Sequence, residues 1–312
     1  MNRISGDVAS LESSDENATV SIELAQMNEQ LAALGANVRI AKAELLLAAD
    51  GWDAVSSTIV LANDRFRGIG AEWVKGDPRR DGRTGVTYAV GVGRLPRPTV
   101  LRAGGSRTVA TTAELEAHVE EGMDAWRNKS CSNAPITRVP AGDNPDFVDD
   151  LVFGAPAAYK QVSDIVESRW LPSVFFTAIF GPAGANIIGV TFSFVFDDAN
   201  GPTDIDNNQK LDLGLSEIYY NSRFLWSDAA ALGVASLGTM DFYSIITHET
   251  GHSLGLGHFG KVFITKKDAA DGLQLSDVKF APRAMMNAVY FTGRSELAGT
   301  DNSSFCSLWA SK

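Results

Sequence analysis

The chain has 312 residues, 45% of them hydrophobic and 21% charged, with a formal net charge of -11. This supports a packed core of one large or two modest domains and excludes the basic face that nucleic-acid binding calls for. Four histidines and two cysteines are the whole supply of soft metal ligands, so where they fall matters.

Residues 1–20 are rich in Ser, Asp, Glu and Asn and read as a disordered lead-in. Met1 to Val20 contains no apolar run of the signal-peptide kind, which leaves open a leader already removed, another export route, and an intracellular protein. Residues 21–84 form a small α/β N-terminal region, propeptide-like or accessory. A helix is expected from Ser21 to Leu34, with Ile22, Leu24, Met27, Leu31 and Leu34 as its apolar stripe and Gly35 as its stop. Strands follow at Val38–Ala49 and Ser57–Ala62. Lys75 to Arg83 is a turn-rich basic loop, either an exposed connection or a clipping site.

The third segment, residues 85–312, opens with a strand at Thr87–Val92. Thr111 or Thr112 caps the next helix, with Glu114 in its first turn. Leu115, Val119, Met123 and Trp126 share one stripe of that helix, which is expected to pack on a sheet, with His118 at a surface or boundary position. Asp150–Gly154 reads as a strand. Trp170 to Phe196 is long enough to span a bilayer, but Pro172, Gly181-Pro182, Gly184 and Asn186 interrupt it, so it reads as buried loop and strand. Within it Val190, Phe192, Phe194 and Phe196 alternate with Thr191 and Ser193, the pattern of a half-buried strand.

Asp204, Asp206, Asn208 and Asp212 place hard oxygen ligands at alternate positions, as calcium prefers. The sixth loop position is Gln209 rather than glycine and no glutamate stands at the twelfth, so a solvated turn with capping carboxylates is the alternative. A short strand is expected at Ser216–Tyr220, and Thr239 is expected to cap a helix that has Asp241 in its first turn and Phe242, Ile245 and Ile246 on its buried side. Phe305 to Trp309 belongs to a closing helix.

Three of the four histidines fall in one stretch, His248-Glu249-Thr250-Gly251-His252-Ser253-Leu254-Gly255-Leu256-Gly257-His258. Residues four apart share a helix face, so His248 and His252 can aim two imidazoles at one point. Gly255 suits a helix C-terminus that needs a left-handed residue, and the turn there brings His258 back as a third ligand. Three imidazoles and an open position make a catalytic zinc site, with Glu249 placed to take a proton from water.

This H-E-x-x-H-x-x-G-x-x-H stretch resembles the zinc-binding consensus of the metzincin metallopeptidases. Met123 to Trp126 followed by Pro135 to Val139 is similar to the helix-then-strand opening of the matrixin branch. Ala284 to Tyr290 resembles the Met-turn, with Met286 aligned best because Tyr290 follows four residues on. Phe259 stands where matrixins usually carry serine and Ala288 where they carry proline, so the resemblance is to a matrixin-like metzincin and no finer. It implies an α+β fold, a zincin-like domain with a twisted mixed sheet, an active-site helix and a Met-turn. It further implies a secreted, monomeric zinc endopeptidase acting on protein or peptide substrates, with Val190–Phe196 as the edge strand that pairs with substrate. A secreted enzyme folds where disulfides persist, so Cys131 and Cys306 are expected to pair rather than remain buried thiols. No cysteine precedes Cys131, so the family's cysteine-based latency is absent, although Asp64 or Asp77 could do that work. The alternatives are a latent form with the N-terminal region over the cleft and a non-catalytic zinc-containing binding protein of the same fold.

Overall fold

The structure, a computed structural model, describes residues 14–48, 58–63, 66, 69–143, 145–154, 159–232, 238–264, 278–290, 293 and 295–310. Along the chain the elements are α1 (Ser14–Ala33), β1 (Val38–Ala48), β2 (Ile59–Leu61), β3 (Ala71–Glu72), β4 (Val86–Val90), β5 (Thr99–Leu101), β6 (Arg107–Val109) and α2 (Thr112–Arg127). There follow β7 (Ile136–Arg138), α3 (Val148–Phe153), β8 (Ile165–Leu171), α4 (Ser173–Phe180), β9 (Ile187–Asp198), β10 (Gly201–Pro202), β11 (Leu211–Asn221), β12 (Leu225–Ser227) and α5 (Ala229–Leu232). The last are β13 (Met240–Asp241), α6 (Phe242–Ser253), β14 (Lys261–Ile264), β15 (Val278–Ala281), β16 (Val289–Tyr290) and α7 (Gly299–Trp309).

The architecture is α+β around one mixed sheet with strand order β16-β1-β9-β11-β8-β4-β7. β11, β8, β4 and β7 run parallel, and β9 runs against them. β1 is antiparallel to β9 and parallel to β16. Helices cover both faces, as neighbouring tyrosines of β11 show, because successive strand residues point opposite ways. Tyr219 packs on Phe175 of α4 and reaches Asp149 of α3. Tyr220 packs on Trp170 and Trp226, which in turn meet Phe242 of α6. Among the described residues no helix is long and apolar enough to cross a membrane.

Several sequence expectations need correction. α1 begins at Ser14, inside the segment read as a disordered lead-in; residues 1–13 lie outside the described residues. Asp150–Gly154 lies in and after the helix α3 rather than in a strand. Its first turn is fixed from a distance, because the backbone N–H groups of Phe147 and Val148 donate to the Glu217 carboxylate at 2.8 and 3.0 Å. α2 packs on α6, with Trp126 Nε1 donating to the Thr247 carbonyl at 2.9 Å, and also bonds to β4 and β7 through Glu120 and Arg127. Part of the Trp170–Phe196 run is the helix α4.

The largest correction concerns β9. It is an interior strand, not an edge, and it is buried on both faces: Thr191 is 0% and Ser193 1% exposed. Alternation signalled one wet face, but Thr191 and Ser193 lie between β1 and β11, and Thr191 bonds to α6. The basic loop is likewise not an ordinary exposed connection. Arg80 is buried, pairs with Asp164 at 3.1 Å and donates to the Val74 carbonyl. Its neighbour Arg79 pairs with Asp77 and Asp212.

Candidate metal centre

Asp241, not Thr239, caps α6: its Oδ2 accepts the backbone N–H of Ser244 at 3.0 Å. Thr239 is spent on Ser227, whose hydroxyl is 2.8 Å away. The helix ends as the sequence suggested. Gly255 has φ 95°, its N–H reaches the His252 carbonyl at 2.9 Å, and the Leu256 N–H reaches the Gly251 carbonyl at 3.0 Å. That pair of bonds is a Schellman closure, which turns the chain back toward the helix. His258 then stands beside the two helical histidines.

The three rings converge. Nε2 of His252 lies 3.0 Å from Nε2 of His248 and 3.1 Å from Nε2 of His258. Nδ1 of His248 lies 2.7 Å from the Met285 carbonyl oxygen, and Nδ1 of His252 lies 2.8 Å from that of Leu256. A carbonyl only accepts, so both Nδ1 atoms carry the hydrogen and both Nε2 atoms present lone pairs. Burial pushes the pKa of His248 down to about 4, and those of His252 and His258 well below the ordinary value. Neutral imidazoles with facing lone pairs repel unless they share a cation, and the group can hold a metal ion. The donor set therefore fits a divalent metal.

Glu249 is 0% exposed, and its carboxylate reaches β9. Its Oε2 accepts the Thr191 hydroxyl at 2.6 Å, while its Oε1 has no hydrogen-bond partner among the described residues. Burial raises its pKa well above the ordinary value, and Glu44 and Glu167 add to the rise. The close approach of β9 depends on Gly189, where a Cβ would come within 2.5 Å of Glu249 Oε1.

Met286 is buried against α6, its Sδ 2.5 Å from where a Cβ on Gly251 would stand. The turn around it is held by residues the sequence reading missed. Asp301 of α7 accepts the N–H groups of Met285 and Met286 at 2.9 and 3.1 Å. Phe259 N–H donates to the Met286 carbonyl at 2.7 Å, which ties the segment after His258 to the same turn.

Three further missed residues come from the N-terminal region. Glu44 Oε1 lies 3.4 Å from Nδ1 of His252, Lys42 Nζ lies 2.8 Å from Glu44 Oε2, and the Thr58 hydroxyl lies 3.3 Å from Nδ1 of His258. One local signal for Glu44 existed, a carboxylate immediately before Leu45-Leu46-Leu47 in an apolar strand.

The remaining candidates divide. Cys131 and Cys306 form a disulfide. His118 stacks on Phe242 at a boundary position, away from the triad. Asp204, Asp206 and Asp212 are brought together, while the Asn208 amide turns to Asp206 and Glu72. The most buried of these carboxylates, Asp212, is paired with Arg79 at 2.7 Å, and the three together could hold a metal ion. Asp77 caps a short turn and holds Arg79 instead of reaching the histidines, and Asp64 lies outside the described residues. In comparisons with known proteins, the chain matches no family model and no curated protein.

Proposed function

We propose that the chain is a zinc-dependent endopeptidase of matrixin-like metzincin type, acting outside the cell on protein or peptide substrates. The observation that carries this reading is the convergence of three histidine Nε2 atoms, two of them on the same helix as a buried glutamate, one of whose oxygens has no hydrogen-bond partner among the described residues. The order of α2, β7, β9, α6 and the turn at Met286 supports the family, and the disulfide is compatible with an oxidising compartment.

His248, His252 and His258 would hold the ion, the tautomers of the first two set by the carbonyls behind them. Bound zinc supplies Lewis acidity, which acidifies water and polarises a peptide carbonyl. Glu249 does the proton work: Oε1 takes the proton of the attacking water and hands it to the departing amine nitrogen. Thr191 fixes the other carboxylate oxygen, so Oε1 keeps one direction.

Metal analysis paired with a peptide-library digest tests the reading. Glu249→Ala is expected to retain one zinc per chain and to lose peptide cleavage at least 100-fold. Undiminished cleavage by that variant, or failure of the wild-type chain to bind zinc, refutes it.

A further inference from the structure

α7 is fastened to the frame of the histidines at three points. Its buried residues are Asp301, Phe305 and Trp309, and their four-residue spacing puts them on one face. Asp301 holds the N–H groups of Met285 and Met286, and the Met285 carbonyl in turn holds Nδ1 of His248. Phe305 packs on Trp126 with 5.5 Å between ring centroids, and Trp126 Nε1 donates to the carbonyl of Thr247, the residue before His248. Trp309 Nε1 donates to the Leu254 carbonyl at 2.9 Å, where α6 ends and the turn toward His258 begins.

A helix of 11 residues is marginal by itself and depends on what it packs against. An open pocket of about 240 Å³, lined in part by Trp73, Leu254, Leu308 and Trp309, lies beside its last turn, so packing is incomplete there. The disulfide is the covalent part of the attachment. It ties the middle of α7, next to Phe305, to the segment that follows α2. Cys131 and Cys306 are both partly exposed, so a thiol in solvent has access to the bond.

We infer that Cys131–Cys306 is a thiol-exchange site whose reduction loosens the metal centre through α7. The reactant is a dithiol. One of its thiolates attacks a sulfur of the bond, which forms a mixed disulfide and expels the other cysteine as a thiolate that takes up a proton. The second sulfur of the reactant gives up its proton and attacks the mixed disulfide. Both cysteines are then thiols, the reactant departs as a disulfide, and two electrons have passed to the chain. Without the tie α7 opens locally. Asp301 lets go of the Met286 turn and Trp309 lets go of the end of α6, so His248 and His258 lose their fixed positions. A metal is held less tightly once such outer supports go, and oxidation restores the grip. The inference rests on the three histidines holding zinc and is independent of peptide cleavage.

The test compares three forms of the full chain: oxidised wild type, wild type reduced with dithiothreitol and freed of it by desalting, and the double variant Cys131→Ser with Cys306→Ser. Zinc affinity is measured by competition with a chromophoric chelator, and folding by far-UV circular dichroism. The reduced chain and the double variant should stay folded and bind zinc at least 10-fold more weakly than oxidised wild type. Reoxidation of the reduced chain should restore the affinity. Affinities within twofold of one another overturn the inference. So does weak binding by the reduced chain beside tight binding by the double variant, because the new thiols would then be the cause. A reduced chain that loses its far-UV signal together with its zinc also overturns it, since the bond would be holding the whole fold and not α7. Should the double variant alone misfold, reduced wild type with both thiols alkylated takes its place. Should oxidised wild type bind no zinc, the peptidase reading fails, and hydrogen exchange at the Met285 and Met286 amides of the metal-free chain decides the coupling. Exchange at least 10-fold faster after reduction upholds the release of that turn by α7, and unchanged exchange overturns it.

Discussion

The Met285 carbonyl oxygen accepts the Nδ1 hydrogen of His248 at 2.7 Å, so the turn below the site sets the tautomer of the first metal-facing ring. That turn is pinned by the Asp301 carboxylate, which also accepts the Ala298 N–H at 2.7 Å. Asp301→Ala would free the turn and the ring together. Removing such an outer support lowers metal affinity by roughly 10- to 100-fold. Competition against a chromophoric chelator measures this, and an affinity within twofold of wild type would show that the turn holds itself.

Gly251 faces Met286 with no room between them, and Trp126 is 3.0 Å from the same point. Gly251→Ala would push the thioether off its seat, with overpacking costing about 1–3 kcal/mol. Met286→Leu conserves volume and should cost less than about 1.5 kcal/mol. Urea unfolding ranks the two variants, and the reverse order would mean that Met286 adapts freely.

Glu167 is fully buried and accepts hydrogen bonds from Tyr220 at 2.6 Å and Thr250 at 2.9 Å. Burial raises its pKa from 4.5 to about 7, against the opposing effect of those two bonds. Between these values the folded chain holds a proton that the unfolded chain releases, so stability falls as pH rises from about 4.5 to about 7 and levels off above. The contribution is on the order of 3 kcal/mol. Glu217, pushed up to about 8 mainly by burial and secondarily by Asp146, drives the same trend. Glu167→Gln should therefore flatten the pH dependence in part. Denaturant midpoints from pH 4.5 to 8 measure it, and an unchanged slope would mean that Glu167 stays ionised throughout.

The disulfide joins residues 175 apart, from the segment after α2 to α7. In the chain-entropy model a loop of that length is stabilised by about 5 kcal/mol. The double variant Cys131→Ala with Cys306→Ala should melt well below wild type under oxidising conditions and match reduced wild type. Equal melting temperatures for oxidised wild type and the variant would rule this out.

The convergence of the three histidines was legible because its signal is local. Two histidines one helical turn apart, a glycine at the helix end and a third histidine after it are fixed by spacing alone. The capping of α2 by Thr111 with Glu114 was legible for the same reason. What stayed hidden depends on distant partners. Asp301 carries no sign that it will bind the Met286 turn, and α3 takes its first turn from Glu217. Position 241 shows the limit at short range: the sequence reading put the cap at Thr239 and Asp241 in the first turn, whereas Asp241 is the cap and Thr239 meets Ser227. Alternation in β9 read as one buried face, because polarity at Thr191 and Ser193 does not reveal that β1 and α6 will enclose both.

β1 comes early in the chain, while β9 and β16, its two partners at the site, come far later. During synthesis from the N-terminus, Leu45-Leu46-Leu47 leaves the ribosome long before either neighbour exists. Pairing that distant forms slowly, and an unpaired apolar strand is a template for association with other chains. The strand whose Glu44 reaches His252 in the finished molecule is thus itself the most vulnerable part of the nascent one, and yield on refolding should fall with protein concentration unless β1 is kept from its copies until β9 arrives.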